Sequence, residues 1–182
     1  MNIKDWQDFK GEQVLRELGI TESQKVLDFG CGSGVYSIIV AKIVKSQGKI
    51  YALDYNEDSL GVLKHKIRTH NIKNIEIIKT SKEISIPLKS NFLDTVLLYD
   101  VYHLLDKDNR FILLGEIYRV LKRKSGILSY FATHIDSYGI NLNEVQEQLT
   151  NAGFEFKGKF KRPMFHWNWI EEGIILNYNK KG

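Results

Sequence analysis

The 182-residue sequence predicts an α/β fold: a mostly parallel, doubly wound sheet of seven strands, with helices on both faces and an antiparallel closing pair. Three observations predict it. Short apolar runs alternate with segments of helical periodicity from Lys25 to Asn151, as in strand–helix–strand units. Glycines cluster directly behind the first of those runs, in VLDFGCGSG (26–34), where a chain must turn sharply or touch something closely. The last two strand-like runs have no helical segment between them, so they form an antiparallel hairpin at one edge of the sheet.

The elements follow in order. An amphipathic helix over 12–18 stops at Gly19. Residues 25–29 read as a buried strand, and 35–45 as a helix apolar on most sides through Ile38, Ile39, Ala41 and Ile43. A second strand covers 49–53. The helix over 57–69 sets Leu60, Leu63 and Ile67 on one stripe and Lys64, Lys66 and Arg68 on the other. Strands follow at 75–79 and 95–99. The next helix, 107–122, carries Phe111, Leu114, Ile117, Tyr118 and Leu121 as its apolar stripe. A fifth strand at 126–132 and a helix at 141–151 precede the closing runs at 154–160 and 172–179, with Pro163 in the connector between them.

Composition bounds the function classes. The length suits one domain, able to bury roughly 70% of its unfolded surface. A net charge of +4 is mild, and its two dense runs, 122–124 and 157–162, read more readily as solvated surface than as a nucleic-acid footprint. A single cysteine, Cys31, excludes an internal disulfide framework and fits a reducing, cytoplasmic setting. The apolar stretch SIIVAKIV is broken by Lys42 and too short to span a bilayer, so no membrane association is expected.

The glycine loop is not a phosphate-cradling P-loop, because no lysine follows Gly34. It is not the dinucleotide fingerprint either, because Val35 stands where the third glycine belongs. What is present is D-x-G-x-G-x-G from Asp28 to Gly34, with a second acid, Asp54, one strand–helix–strand unit later. Both carboxylates therefore reach the same carboxyl edge of adjacent parallel strands, where open α/β sheets bind ligands.

On these residues the chain resembles the class I S-adenosylmethionine-dependent methyltransferases. VLDFGCGSG resembles their first motif and ALDYNEDSL their ribose-binding segment; 86–105 and 116–128 resemble the stretches around their fourth and fifth strands. The resemblance covers roughly residues 12–160 and implies a Rossmann-like fold with S-adenosylmethionine as cofactor. It implies that Gly30, Gly32 and Gly34 let the backbone approach the cofactor, and that Asp54 accepts hydrogen bonds from both ribose hydroxyls. Asp28 sits near the ammonium and sulfonium charges or simply fixes the loop, and Tyr55 faces the adenine or covers the sheet edge. Ser33 donates to the cofactor or caps the following helix, and Cys31 is a small tolerated loop residue. Tyr99, Asp100 and Tyr102 line the methionine end, with Asp100 as an alternative helix cap. The family's usual adenine-binding acid is missing: Ser81 and Lys82 stand there, with Glu83 one step beyond. Ser81 with backbone groups then reads the adenine, or the loop is rearranged.

Methyl transfer is chiefly a matter of holding donor and acceptor in line, with a base needed only for a protonated acceptor. His103, His134 and His166 all follow strands or lie in the connector, so topology lets them share the carboxyl edge as candidate catalytic groups. A metal site from them is disfavoured, since their spacings are long and neither cysteine nor acid accompanies them. Residues 1–22 form a helical or lid segment and 161–171 a connector over the acceptor side. Phe165, Trp167 and Trp169, with Trp6 and Phe9, make an apolar lid or pack a sheet edge. Asp100-Val101-Tyr102-His103 lacks the paired prolines typical of base-amine methyltransferases, which disfavours nucleic acid and favours a small-molecule acceptor. The rival readings are a non-catalytic cofactor-binding module, an RNA or protein methyltransferase, and, least supported, a nicotinamide oxidoreductase.

Overall fold

The computed structural model describes residues 1–134 and 137–181. The chain opens with α1 (Ile3–Asp5), a π-helical turn at Trp6–Lys10 and α2 (Gly11–Glu17), a longer helical run than the sequence periodicity suggests. Then come β1 (Lys25–Phe29), α3 (Val35–Val44), β2 (Lys49–Asp54), α4 (Glu57–Thr69), β3 (Ile75–Lys79) and β4 (Thr95–Tyr99). A short 3₁₀ turn, Tyr102–Leu104, leads into α5 (Lys107–Val120), followed by β5 (Ile127–Ala132), α6 (Leu142–Asn151), β6 (Phe154–His166) and β7 (Trp169–Lys180).

The seven strands form one sheet in the order β3-β2-β1-β4-β5-β7-β6. The first five run parallel; β7 lies antiparallel between β5 and β6. Because the β6–β7 turn spans only residues 167–168, the region expected as a connector is instead strand: Pro163 pairs with Glu172, and the ladder runs out to His166 opposite Trp169. Proline is tolerated there because β6 is an edge strand with no further neighbour to receive an N–H. The charge-rich 157–162 run occupies the same edge. Lys161 pairs with Glu172 at 2.5 Å and Arg162 with Glu17 at 2.6 Å, so this run is the blunted edge of a sheet.

Alternation along the strands divides the core. Leu27, Phe29, Leu53, Val96 and Leu98 face α5 and α6; Val26, Ile50, Leu97 and Phe131 face α2 and α3. On α5 the buried stripe is Leu113, Leu114, Ile117 and Val120, whereas Phe111 is 76% exposed, so the expected stripe is rotated by one residue at its start. Register carries the fold into function. Phe29 is level with Leu53 on one side and Leu98 on the other. The segments that follow, at Gly30, Asp54 and Tyr99–Asp100, therefore leave the sheet together, on either side of the point where the strand order reverses. That is where a doubly wound sheet leaves a crevice.

Candidate functional site

The loop after β1 is strapped to the end of β2. Gly30 and Cys31 donate their backbone N–H groups to Leu53 O at 2.8 and 3.0 Å, and Gly34 N–H closes the turn on Cys31 O at 2.8 Å. Asp54 completes the strap: one oxygen accepts from Gly32 N–H at 2.7 Å and the other from Asn56 N–H at 2.8 Å. Asn56, not Asp54, caps α4 by accepting from Ser59 N–H. Each Asp54 oxygen accepts one of these bonds and has a second lone pair for a ligand.

Beside this loop lies a cleft of about 450 Å³, within the range typical of small-ligand sites. Of the sequence candidates, Gly30, Asp54, Tyr55, Ser81 and Asp100 line it; Lys82, Glu83, Val101, Leu104 and Leu105 are among the other residues on its walls. Tyr55 and Leu104 are 55% and 61% exposed, apolar surface that a flat ring can cover. Ser81 Oγ accepts from Glu83 N–H at 3.3 Å, which holds both residues in one turn of the rim. A larger cavity of about 550 Å³ behind α3 shares no lining residue with this cleft.

Other candidates have different partners. Gly34 lies against α4: a Cβ there would meet Leu63 Cδ1 at 2.3 Å, and at Gly30 it would meet Val101 Cγ2 at 2.3 Å. Only at Gly32 is the space open, and all three adopt positive φ. Two of the three glycines therefore serve internal packing as much as any ligand. Asp28 is buried, accepts from Ser37 Oγ at 2.5 Å, and has its carboxyl pushed up to about 6 by burial. Ser33 does not cap α3, whose N-cap is Gly34; its carbonyl accepts from Lys66 Nζ at 3.0 Å. Burial, with Asp28 and Asp54 nearby, holds the Cys31 thiol far above its ordinary range, so it stays protonated and inert. Tyr99 does not face the cleft. Its ring packs against Tyr36 and Phe131 and its hydroxyl pairs with Ser129 Oγ at 2.8 Å. Tyr102 is likewise interior, its hydroxyl bonded to Gln148.

The three histidines converge on Asp100. His166 Nε2 lies 3.0 Å from His134 Nε2 and 3.3 Å from Asp100 Oδ1, and His134 Nε2 lies 3.6 Å from the same oxygen. His103 Nδ1 stands 3.8 Å from Asp100 Oδ1 and 3.3 Å from Thr133 Oγ1, which donates to that oxygen at 2.7 Å. Burial lowers His103 to about 4, Asp100 only partly offsetting it, so this imidazole is neutral at pH 7. Asp100 does not cap α5; Asp106 does, accepting from Asn109 N–H at 2.8 Å. The expectation that no acid accompanies the histidines is thus corrected. Asp100 supplies one, and the donor atoms of Asp100, His134 and His166 are close enough to hold a metal ion.

Thr133, and Glu171, whose Oε2 is 3.0 Å from His166 Nδ1, stand beside these histidines and were missed by sequence reasoning. Glu171 could have been found from strand alternation had β7 been drawn back to Trp169. The aromatic lid divides: Trp6 is fully buried against Tyr36 and Phe165, while Trp167 and Trp169 are exposed beside His166.

Sheet order, glycine loop and crevice define a doubly wound, ligand-binding α/β domain. A family model described as "Methyltransferase domain" matches residues 20–174, and the chain belongs to that family. The chain is 28% identical over 111 residues to a demethylmenaquinone methyltransferase of Geobacillus stearothermophilus, covering 61% of this chain and 46% of that protein. It is 26% identical over 161 residues to the demethylmenaquinone methyltransferase of Lactococcus lactis, covering 88% and 62%. The chain thus spans about half to two thirds of the length of these curated relatives. Among solved structures, a SAM-dependent methyltransferase from Aquifex aeolicus superposes with a TM-score of 0.78 at 26% identity, covering 97% of this chain and 92% of that one. A TehB-like methyltransferase from Corynebacterium glutamicum shares the fold, with a TM-score of 0.72 at 18% identity over 98% and 95%.

Proposed function

We propose that this chain binds S-adenosylmethionine in the cleft between β1, β2 and β4 and directs its methyl group to a small-molecule acceptor. The observation that carries the reading is Asp54, a carboxylate held on the cleft wall by the loop's own Gly32 N–H. The cleft fits such a cofactor by its chemistry. A paired-hydroxyl acceptor, apolar lining at Val101, Leu104 and Leu105, and the Asp100 carboxylate on the same cleft are the partners a ribose, an adenine and a cationic amino-acid tail need. When bound, the cofactor supplies an electrophilic methyl group on a sulfonium.

The chain's own part is placement. Asp54 takes the two ribose hydroxyls, Tyr55 and Leu104 cover the ring, and Ser81 or Glu83 receives the adenine amino group. Asp100 faces the methionine end, so the acceptor enters from the side of His103, His134 and His166. Two exposed indoles, Trp167 and Trp169, stand over that side and suit a partly aromatic acceptor. The names of the relatives support a small acceptor, since demethylmenaquinone is one.

Calorimetric titration with S-adenosylmethionine and with its demethylated product tests the cofactor. Binding of both is expected, with Asp54→Ala weakening it about 100-fold, as loss of two charge-assisted hydrogen bonds at about 1.5 kcal/mol each implies. Unchanged affinity in a folded Asp54→Ala chain would sink the assignment. Mass-detected methylation across hydroxylated aromatic and quinol acceptors then tests the acceptor class.

A further inference from the structure

We infer that Asp100, His134 and His166 form a binding site for a divalent transition-metal ion of the zinc type, on the acceptor side of the cleft. Their donor atoms make a triangle with edges of 3.0, 3.3 and 3.6 Å. A zinc ion with ligands at about 2.0–2.1 Å in tetrahedral array separates its donors by about 3.3 Å, and the triangle straddles that value. Hydrogen bonding alone does not account for it. His166 Nε2 is close to both other atoms, and a single N–H cannot point at two acceptors in different directions at full strength. Asp100 Oδ1 already receives the Thr133 hydroxyl.

The surroundings are those of a ligand set. His166 is 4% exposed, and its remote Nδ1 lies 3.0 Å from Glu171 Oε2, at ion-pair distance but outside hydrogen-bond geometry. A carboxylate behind an imidazole holds the proton on the remote nitrogen and leaves Nε2 free to ligate. Glu171 is itself positioned by Trp169 Nε1–H at 3.1 Å. The ligands come from the ends of β4, β5 and β6, and Asp100 and His134 both sit at positive φ, 58° and 54°, conformations that cost energy and turn the two side chains toward one point.

Two imidazoles and one carboxylate leave a zinc ion a fourth position for an exogenous ligand. Since Asp100 also lines the cleft, a hydroxyl oxygen of the acceptor bound there would release its proton to solvent at lower pH than when free. That role for the ion rests on the methyltransferase reading; the ion site does not.

The test uses the metal-free full chain, titrated with Zn²⁺ in a calorimeter and with Co²⁺ in a visible spectrophotometer. Binding of one equivalent is expected, with Co²⁺ developing visible d–d absorption. His134→Gln and Asp100→Asn should each weaken Zn²⁺ about 100-fold or more, and Glu171→Gln about tenfold. The surface pair His65→Ala/His70→Ala should change nothing. No saturable binding by the folded chain, or binding that survives His134→Gln and Asp100→Asn but is lost with His65 and His70, overturns the proposal. Titrating the same samples with S-adenosylmethionine separates the two readings: Zn²⁺ binding without cofactor binding keeps the ion site and removes the methyltransferase reading, and the converse removes only the ion site.

Discussion

Gly32 and Gly34, two residues apart, have different reasons to be glycine. At Gly34 an added Cβ meets a fully buried Leu63 at 2.3 Å, on a backbone with φ of 78°; at Gly32 it meets nothing within 4 Å, with φ of 51°. Gly34→Ala is therefore expected to cost about 2–5 kcal/mol, the sum of left-handed strain and overpacking, and Gly32→Ala about 1–2 kcal/mol from strain alone. Urea denaturation of the two variants checks the ranking; equal losses would contradict it. Asp28 makes a pH-dependent prediction. Burial raises its folded pKa to about 6, above the ordinary aspartate value of about 3.9, so between roughly pH 4 and 6 the folded state holds more protons than the unfolded one. Stability then falls as pH rises through that window, by up to about 3 kcal/mol. Asp28→Asn keeps an acceptor for Ser37, and its stability should not show that fall. Chemical denaturation at pH 4.5 and pH 7 measures the difference.

Among the elements, the N-terminal helical run buries Val14, Leu15 and Leu18 in the core and adds specific polar contacts to the far edge of the sheet. Trp6 is fully buried and its indole N–H donates to Pro163 O at 2.6 Å; Asn177 Nδ2 donates to Leu18 O at 2.8 Å; Arg162 reaches Glu17. Trp6→Phe keeps an aromatic in place but orphans the proline carbonyl, so a loss of about 1–3 kcal/mol is expected. Faster amide exchange should be confined to residues 3–18 and their β6 contacts. Uniform loss of protection across the sheet would show that the helix is not a separate unit. The β6–β7 hairpin shows where element boundaries escaped sequence reading. Polar and aromatic residues from Lys161 to Glu171 resemble a loop by composition. Apart from the turn at 167–168 they are strand, because β7 pairs on both sides while β6 needs to cover only one face.

At the scale of the molecule, the strand order 3-2-1-4-5-7-6 decides where a ligand can sit. The order reverses at β1, and the loops after β1, β2 and β4 diverge to leave the cleft. A cofactor bound there couples to global stability: at about 100 times its dissociation constant it adds about 2.7 kcal/mol. For a chain of this size that is a rise in melting temperature of about 5–11 °C. S-adenosylmethionine should produce that rise, a reduced nicotinamide dinucleotide should not, and Asp54→Ala should cut it to about 1–2 °C at the same concentration. Equal shifts from both ligands would point to a different occupant of the crevice.

The alternation of short apolar strands with periodic helices, the glycine loop after β1 and the acid ending β2 were all legible in the sequence, because each is a local pattern set by backbone geometry and side-chain periodicity. His103, His134 and His166 were legible as residues of one sheet edge for the same reason. Their meeting on Asp100, with Thr133 and Glu171 behind them, was decided only by tertiary structure. Those atoms lie within hydrogen-bonding or ligating reach through the register and twist of four strands and the left-handed turns at Asp100 and His134. Sequence spacing carries no record of such distances, since they are set by how the strand ends pack against one another.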